Sequence, residues 1–190
     1  TSCSPVFVLN KTMENGGERL DVGMKTLGLC FLIYDKINHE KLWHTWLQNA
    51  DEKKYKVYIH YKNDTKLDYF EQYKLQTCIS TKYADISLVK AQNLLLEASV
   101  NDNCTHTIFL SGACIPLKTF EYIFEYLDNR FSYFNEAPDE ACFPRCNKTL
   151  KYVNKECIKK ASQWCILNYK HAKLLTTEKE YIEWFNYNET

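Results

Sequence analysis

Apolar residues run without a break through "LGLCFLIY" (27–34), which predicts a strand covered on both faces. The next stretch, "DKINHEKLWHTWLQ", predicts a turn and then a helix with Leu42, Trp46 and Leu47 on one side. "YKVYIHY" (55–61) predicts a second strand. "STKYADISLVKAQNLLLEASV" (80–100) predicts a helix whose apolar stripe is Ile86, Val89, Leu94, Leu95 and Leu96. In "THTIFLSGACIPLKTFEYIFEYL" (105–127) a buried strand at 107–110 meets the tight polar turn Ser111-Gly112-Ala113, and a helix opens near Thr119. "RFSYFNE" (130–136) predicts another strand, and "SQWCILNYKHAKLL" (162–175) a strand passing into a helix. "TTEKEYIEWF" (176–185) predicts a further helix with Thr176 or Thr177 as N-cap. Residues 1–23, including "NKTMENGGERLD", have weak periodicity and predict an irregular arm, so the domain is expected at 24–190.

Strands alternating with helices predict an α/β domain with a largely parallel sheet flanked by helices. In such sheets ligands sit beyond the carboxyl ends of the strands. Four loops are therefore expected to gather at one edge: residues 35–39, 62–64, 111–114 and 135–140.

The composition, 45% hydrophobic and 25% charged, is that of a soluble globular domain. With 24 basic and 24 acidic residues the formal charge is zero, which argues against a nucleic-acid surface. No apolar run approaches the roughly 18–20 residues that span a bilayer, and the N-terminus lacks the layout of a signal peptide. The nine cysteines are scattered, without a CxxC, and Cys142 and Cys146 have no second pair to complete a zinc site. Cys30 and Cys165 fall in apolar strands as small buried hydrophobes. Mostly free thiols point to a reducing compartment. Five Asn-x-Thr sequons, at Asn10, Asn63, Asn103, Asn147 and Asn188, point to the secretory lumen, although such triplets arise readily by chance in an Asn-rich chain. The cytoplasm is favoured, and the lumen stays open.

Four segments together carry a resemblance: the opening strand-turn-helix, the "ISLVKAQ" helix, the "LSGACIPL" turn and the "SQW…HA" segment. In order and spacing they resemble the core-2/I-branching glycosyltransferase family, most like the branch typified by plant proteins of formerly unknown function. The similarity covers about residues 27–185. It implies a GT-A-like (Rossmann-like) fold and transfer of a sugar, N-acetylglucosamine or xylose, from a uridine-linked donor to a glycan hydroxyl with inversion. It also implies no metal: where Asp-x-Asp would stand, this chain has Ser-Gly-Ala-Cys. Charge on the departing diphosphate must then be met by Lys or Arg side chains.

The resemblance also distributes roles. Asp35, Lys36 and Asn38 follow the first strand, where the family's turn lies under the nucleotide. His60 matches an Ile-His leading to the nucleotide pocket, but Lys62 stands where some relatives carry an acid, leaving Asp64 as the nearest carboxylate. Ser111 and Gly112 are expected to bring backbone close to the donor. Cys114 is not expected to act as a nucleophile, since no mechanism of the family uses a thiol. Glu136 resembles an acceptor-gripping acid, with Asp139 and Glu140 as substitutes, and Gln163 and Trp164 match the family's acceptor region. Lys170 and His171 are diphosphate candidates, with Arg145 and Lys148 behind them, and Tyr169 stands where relatives often carry Arg. The family's general base is a Glu in an Asp-Glu segment downstream of the region matching "EKEYIEWF". That segment is expected beyond Thr190, so Glu178, Glu180 and Glu183 do not inherit its role. A non-catalytic glycan- or nucleotide-binding module on the same fold is the alternative.

Overall fold

The computed structural model of the chain describes residues 24–135 and 161–178, together with the backbone of a two-residue strand, β1 (Phe7–Val8). The apolar run becomes β2 (Leu27–Ile33), buried at every position. α1 (Glu40–Gln48) follows, then β3 (Tyr55–Tyr61), α2 (Ile86–Asn101) and β4 (His106–Ser111). α3 (Phe120–Tyr126), the short β5 (Tyr133–Phe134), β6 (Ile166–Asn168) and α4 (Tyr169–Thr177) complete the described elements.

The sheet order is β1-β5-β6-β4-β2-β3. β2 lies between β3 and β4 and runs parallel to both, in long registers from Leu27–Tyr55 to Ile33–Tyr61 and from Leu27–His106 to Leu32–Ser111. These ladders hold most of the paired residues, so the sheet is the mostly parallel, helix-flanked α/β sheet expected, consistent with a GT-A-like fold. Its other half departs from that pattern. β6 runs antiparallel to β4 and β5, and β1 antiparallel to β5. β1 itself lies within the stretch expected to be irregular.

α1 and α3 cover one face. There Phe31 packs edge-on against Trp43 with ring centroids 5.1 Å apart, and Phe70 and Phe120 are buried nearby. α2 and α4 cover the other face through Ala91, Leu95, Leu96 and Ala172, against Cys30, Leu32 and Phe109. Gly28 permits the closest approach on that side. A Cβ there would stand 2.3 Å from Ser99 Oγ, which is itself 2.7 Å from Thr107 Oγ1. A glycine inside a buried strand is thus explained by the Ser99 hydroxyl and the Cys104 thiol, which need its space.

Several boundaries differ from the sequence reading. On α1 the buried pair is Trp43 and Leu47, four residues apart, while Leu42 is 47% exposed on the outer side. α2 starts at Ile86, not at residue 80: the Asp85 side chain accepts the Ser87 N–H, and Ala84 before it has φ 55°. Ile86, Val89 and Leu94 are only half-buried, and Ala91 and Ser99 take the closest positions to the sheet. The strand foreseen at 130–136 contracts to β5. Cys165 sits just before β6, its carbonyl accepting the Phe109 N–H. Thr176 and Thr177 end α4, donating their hydroxyls back to the Lys173 carbonyl, and the rest of the helix foreseen over 176–185 lies outside the described residues. Thr119 does cap α3, accepting the Tyr122 N–H.

Cys30, Cys78, Cys104, Cys114 and Cys165 are free thiols. Burial raises the pKa of Cys30 and Cys104 and pushes Cys165 up to about 11, so these thiols stay protonated and inert. Cys142 and Cys146 lie outside the described residues. No described helix is long and apolar enough to cross a membrane.

Candidate active site

Because β2, β3 and β4 are parallel, their carboxyl ends share one edge of the sheet. β6 runs the other way, so the segment before it, 162–165, reaches that same edge. The first, second and third foreseen loops and the "SQW" segment therefore meet there, as does Asn135, whose carbonyl accepts the Ser162 N–H (2.8 Å).

Backbone hydrogen bonds join these loops to one another. Asn38 N–H donates to the Gly112 carbonyl at 2.7 Å, and Lys62 and Asn63 N–H groups donate to the Tyr34 carbonyl at 3.1 and 2.8 Å. Gly112 is needed for space: an added Cβ would stand 2.4 Å from the Lys36 carbonyl oxygen. The Ser111 hydroxyl accepts the Ala113 N–H, and Cys114 Sγ accepts the Ser111 N–H at 3.3 Å. Two indoles of α1 hold the segment that leaves this turn. Trp43 Nε1–H donates to the Cys114 carbonyl (2.9 Å) and Trp46 Nε1–H to that of Lys118 (2.8 Å). The Ser-Gly-Ala-Cys turn is therefore a rigid platform, fixed from below by α1 and from the side by residues 36–38.

Polar and aromatic groups line the rim. Tyr34 is 60% exposed with the Lys62 ammonium 4.9 Å from its ring centroid, a cation–π contact. Asp35 is half-buried and Lys36 exposed beside it. Trp164 is exposed, and the Gln163 carbonyl accepts Gln92 Nε2–H from α2 at 3.2 Å. Among the described residues no group of three or more His, Cys, Asp or Glu is arranged to hold a metal ion.

Two expected nucleotide contacts are otherwise engaged. His60 is fully buried, and its Nε2 accepts the Ile79 N–H at 3.0 Å, so the imidazole faces the protein and not the cleft. Asp64 is paired with Lys74 at 2.8 Å, and Glu71 binds the same ammonium at 2.9 Å. Burial pulls the pKa of Lys74 down, but the two carboxylates more than offset it and leave it raised.

Lys170 and His171 are not brought to this edge at all. β6 ends at the opposite one, where Asn168 pairs with His106 and the Tyr169 N–H donates to the Thr105 carbonyl. His171 Nδ1 there lies 2.8 Å from Ser132 Oγ, and burial lowers its pKa. β4 separates the two edges by roughly 20 Å at about 3.3 Å per residue. The antiparallel course of β6 is the reason. Glu136, Asp139, Glu140, Arg145 and Lys148 lie outside the described residues.

Sequence reasoning missed Glu40. Its carboxylate accepts three backbone N–H groups, from Asp68 (3.1 Å), Tyr69 (2.6 Å) and Phe70 (2.8 Å), and so fixes the chain after β3. The Tyr34–Lys62 pair was missed as well. Neither leaves a local signal, since each joins residues 28 or more positions apart.

Comparison with known proteins adds a family to this geometry. The family model described as Core-2/I-Branching enzyme matches residues 29–190. The chain is also 21% identical over 175 residues to "Glycosyltransferase BC10" of Oryza sativa subsp. japonica. That alignment takes in 87% of this chain and 44% of the relative, so the chain spans less than half the relative's length. With its model matched over residues 29–190, the chain belongs to the Core-2/I-Branching enzyme family.

Proposed function

We propose that the carboxyl edge binds a uridine-diphosphate sugar and that the protein transfers the sugar, N-acetylglucosamine or xylose, to a glycan hydroxyl with inversion and without a metal. The convergence of the 34–38, 62–64, 111–114 and 162–164 segments on one edge is the observation that carries the reading. In parallel α/β sheets this edge is where ligands sit. Tyr34 offers an exposed ring on which a uracil can stack, with Asp35 and Lys36 beside it. The Ser111-Gly112 turn supplies backbone without a side chain in the way, and Trp164 an aromatic floor for an acceptor sugar. The charge on a departing diphosphate falls to cations of this edge, Lys36 and Lys62 among the described residues, in place of Lys170 and His171. The acceptor's general base is assigned to none of the described residues.

The second reading is a non-catalytic module that binds a nucleotide or glycan on the same fold. Lys62 in place of an acid and the pairing of Asp64 with Lys74 favour it. Calorimetric titration with UDP, UDP-N-acetylglucosamine and UDP-xylose, each with EDTA and with manganese, tests the first reading. Binding undiminished by EDTA is expected. Binding that requires manganese contradicts the metal-free site, and no binding under either condition contradicts the donor site itself. Binding without transfer by the whole natural protein selects the module.

A further inference from the structure

His60 has a tautomer fixed by its surroundings. Its Nε2 accepts the Ile79 N–H, so in the neutral ring the proton sits on Nδ1, and Nδ1 makes no hydrogen bond among the described residues. The ring is completely buried on the α2 face of β3, beside Leu32 of β2. A buried donor left without a partner is costly and asks for a reason. The group that His60 holds supplies one.

Ile79 lies midway along a strap, residues 74–85, that closes the connection from β3 to the start of α2. The strap begins as an added strand on the sheet edge, where Lys74 bridges to Ile59 and the Leu75 N–H donates to the Ile59 carbonyl at 2.9 Å. It then crosses toward α2, with Thr81 buried, and ends where the Lys82 N–H donates to Ser87 Oγ and Asp85 caps the helix. Near its end it carries Tyr83, 97% exposed, and Ala84 in the left-handed region. The crossing is made over His60, at the carboxyl edge.

We propose that His60 is a proton-sensitive latch, which in its neutral form holds the 74–85 strap against the rim of the carboxyl edge through Ile79 and releases it on taking up a second proton. The chemistry is a single protonation. The proton must go to Nε2, the lone pair of which is the acceptor for Ile79. Once that nitrogen carries hydrogen, two N–H groups face each other and the bond is lost. No carboxylate compensates. The titratable groups on the surrounding elements are Tyr55, Lys56, Tyr58 and Tyr61 of β3, Cys30 of β2, Lys74, Cys78, Lys82, Tyr83 and Asp85 of the strap, and Lys90 and Glu97 of α2. None of them contributes to the shift of the His60 pKa, which burial lowers against a smaller opposing pull from the residue's own backbone. A histidine with a lowered folded pKa gives stability that is fully present above the unfolded value of about 6.5 and lost as the pH falls toward the folded one. The latch is therefore closed at neutral pH and opens in acid. Its geometry stands apart from the proposed donor site, and only its effect on that site rests on the proposed function.

The test uses nitrogen NMR of the whole chain at about pH 7.5 and about pH 5.5, with His60→Gln as comparison. The glutamine Oε1 can take the place of Nε2 as acceptor but does not titrate. Expected are an Nδ1–H tautomer at neutral pH and a fall of up to about tenfold, and more than about threefold, in the protection of the Ile79 amide in acid, with Phe31 in β2 unchanged. In His60→Gln the Ile79 protection should change less than about twofold between the two pH values. An Nε2–H tautomer at neutral pH overturns the latch, as does Ile79 protection that persists in acid or falls equally in His60→Gln. If that variant does not fold, the tautomer and the wild-type protection still decide.

Discussion

Replacing Gly112 by alanine is expected to cost about 1–3 kcal/mol of stability, the range for forcing an extra carbon into a packed site. The new Cβ would lie 2.4 Å from the Lys36 carbonyl oxygen and 3.5 Å from Ile33 Cγ2. Since the nearest atom is backbone, no rotamer change relieves the clash, and the loops must part. The Asn38–Gly112 hydrogen bond at 2.7 Å is the first bond exposed to that movement. Urea unfolding should show a lower midpoint with little change in slope. Nucleotide-sugar affinity should fall as well, because the two displaced loops both line the proposed site. An alanine variant with wild-type stability would mean that this junction is looser than its geometry implies.

Glu40→Ala is expected to cost more, about 2–4 kcal/mol, because it removes one acceptor group from three backbone donors at once. Those donors follow Leu67 and include Phe70, and these two side chains, each 2% exposed, plug the core beside Phe31. The carboxylate also occupies the first position of α1, where negative charge suits the helix dipole. Glu40→Gln should cost less, since one carbonyl oxygen remains to accept. Amide exchange can check the location of the damage: the amides of residues 68–70 should lose protection before those of β2 do. An alanine variant within about 0.5 kcal/mol of the wild type contradicts the role given to Glu40.

How far the sequence could be read depended on the range of the interaction. The unbroken apolar run of β2 pointed to a strand covered on both faces, and β2 is buried at every position. Thr119 and the glycine-bearing turn before it marked the start of α3, and the parallel strands then fixed where three of the loops meet. These signals are local or depend on a simple alternation. The direction of β6 does not. Three residues, Ile166 to Asn168, pair antiparallel with His106 to Ile108 across some 60 positions, and nothing within the segment encodes that choice. The consequence was large: it carried Gln163 and Trp164 to the candidate site and took Lys170 and His171 away from it. Asp64 and His60 show a related limit. Their spacing from the strand end was legible, but the Lys74 ammonium and the Ile79 amide that engage them come from a connection with no regular period.

The central claim is that a nucleotide sugar binds at the carboxyl edge of β2, β3 and β4. The most direct measurement is to follow the backbone amide shifts of the chain as UDP-N-acetylglucosamine is added. The account predicts shifts concentrated at residues 34–38, 62–64, 111–114 and 162–164, with Lys170 and His171 unmoved. Shifts concentrated around Thr105, Ser132, Lys170 and His171, at the other end of the sheet, would contradict it.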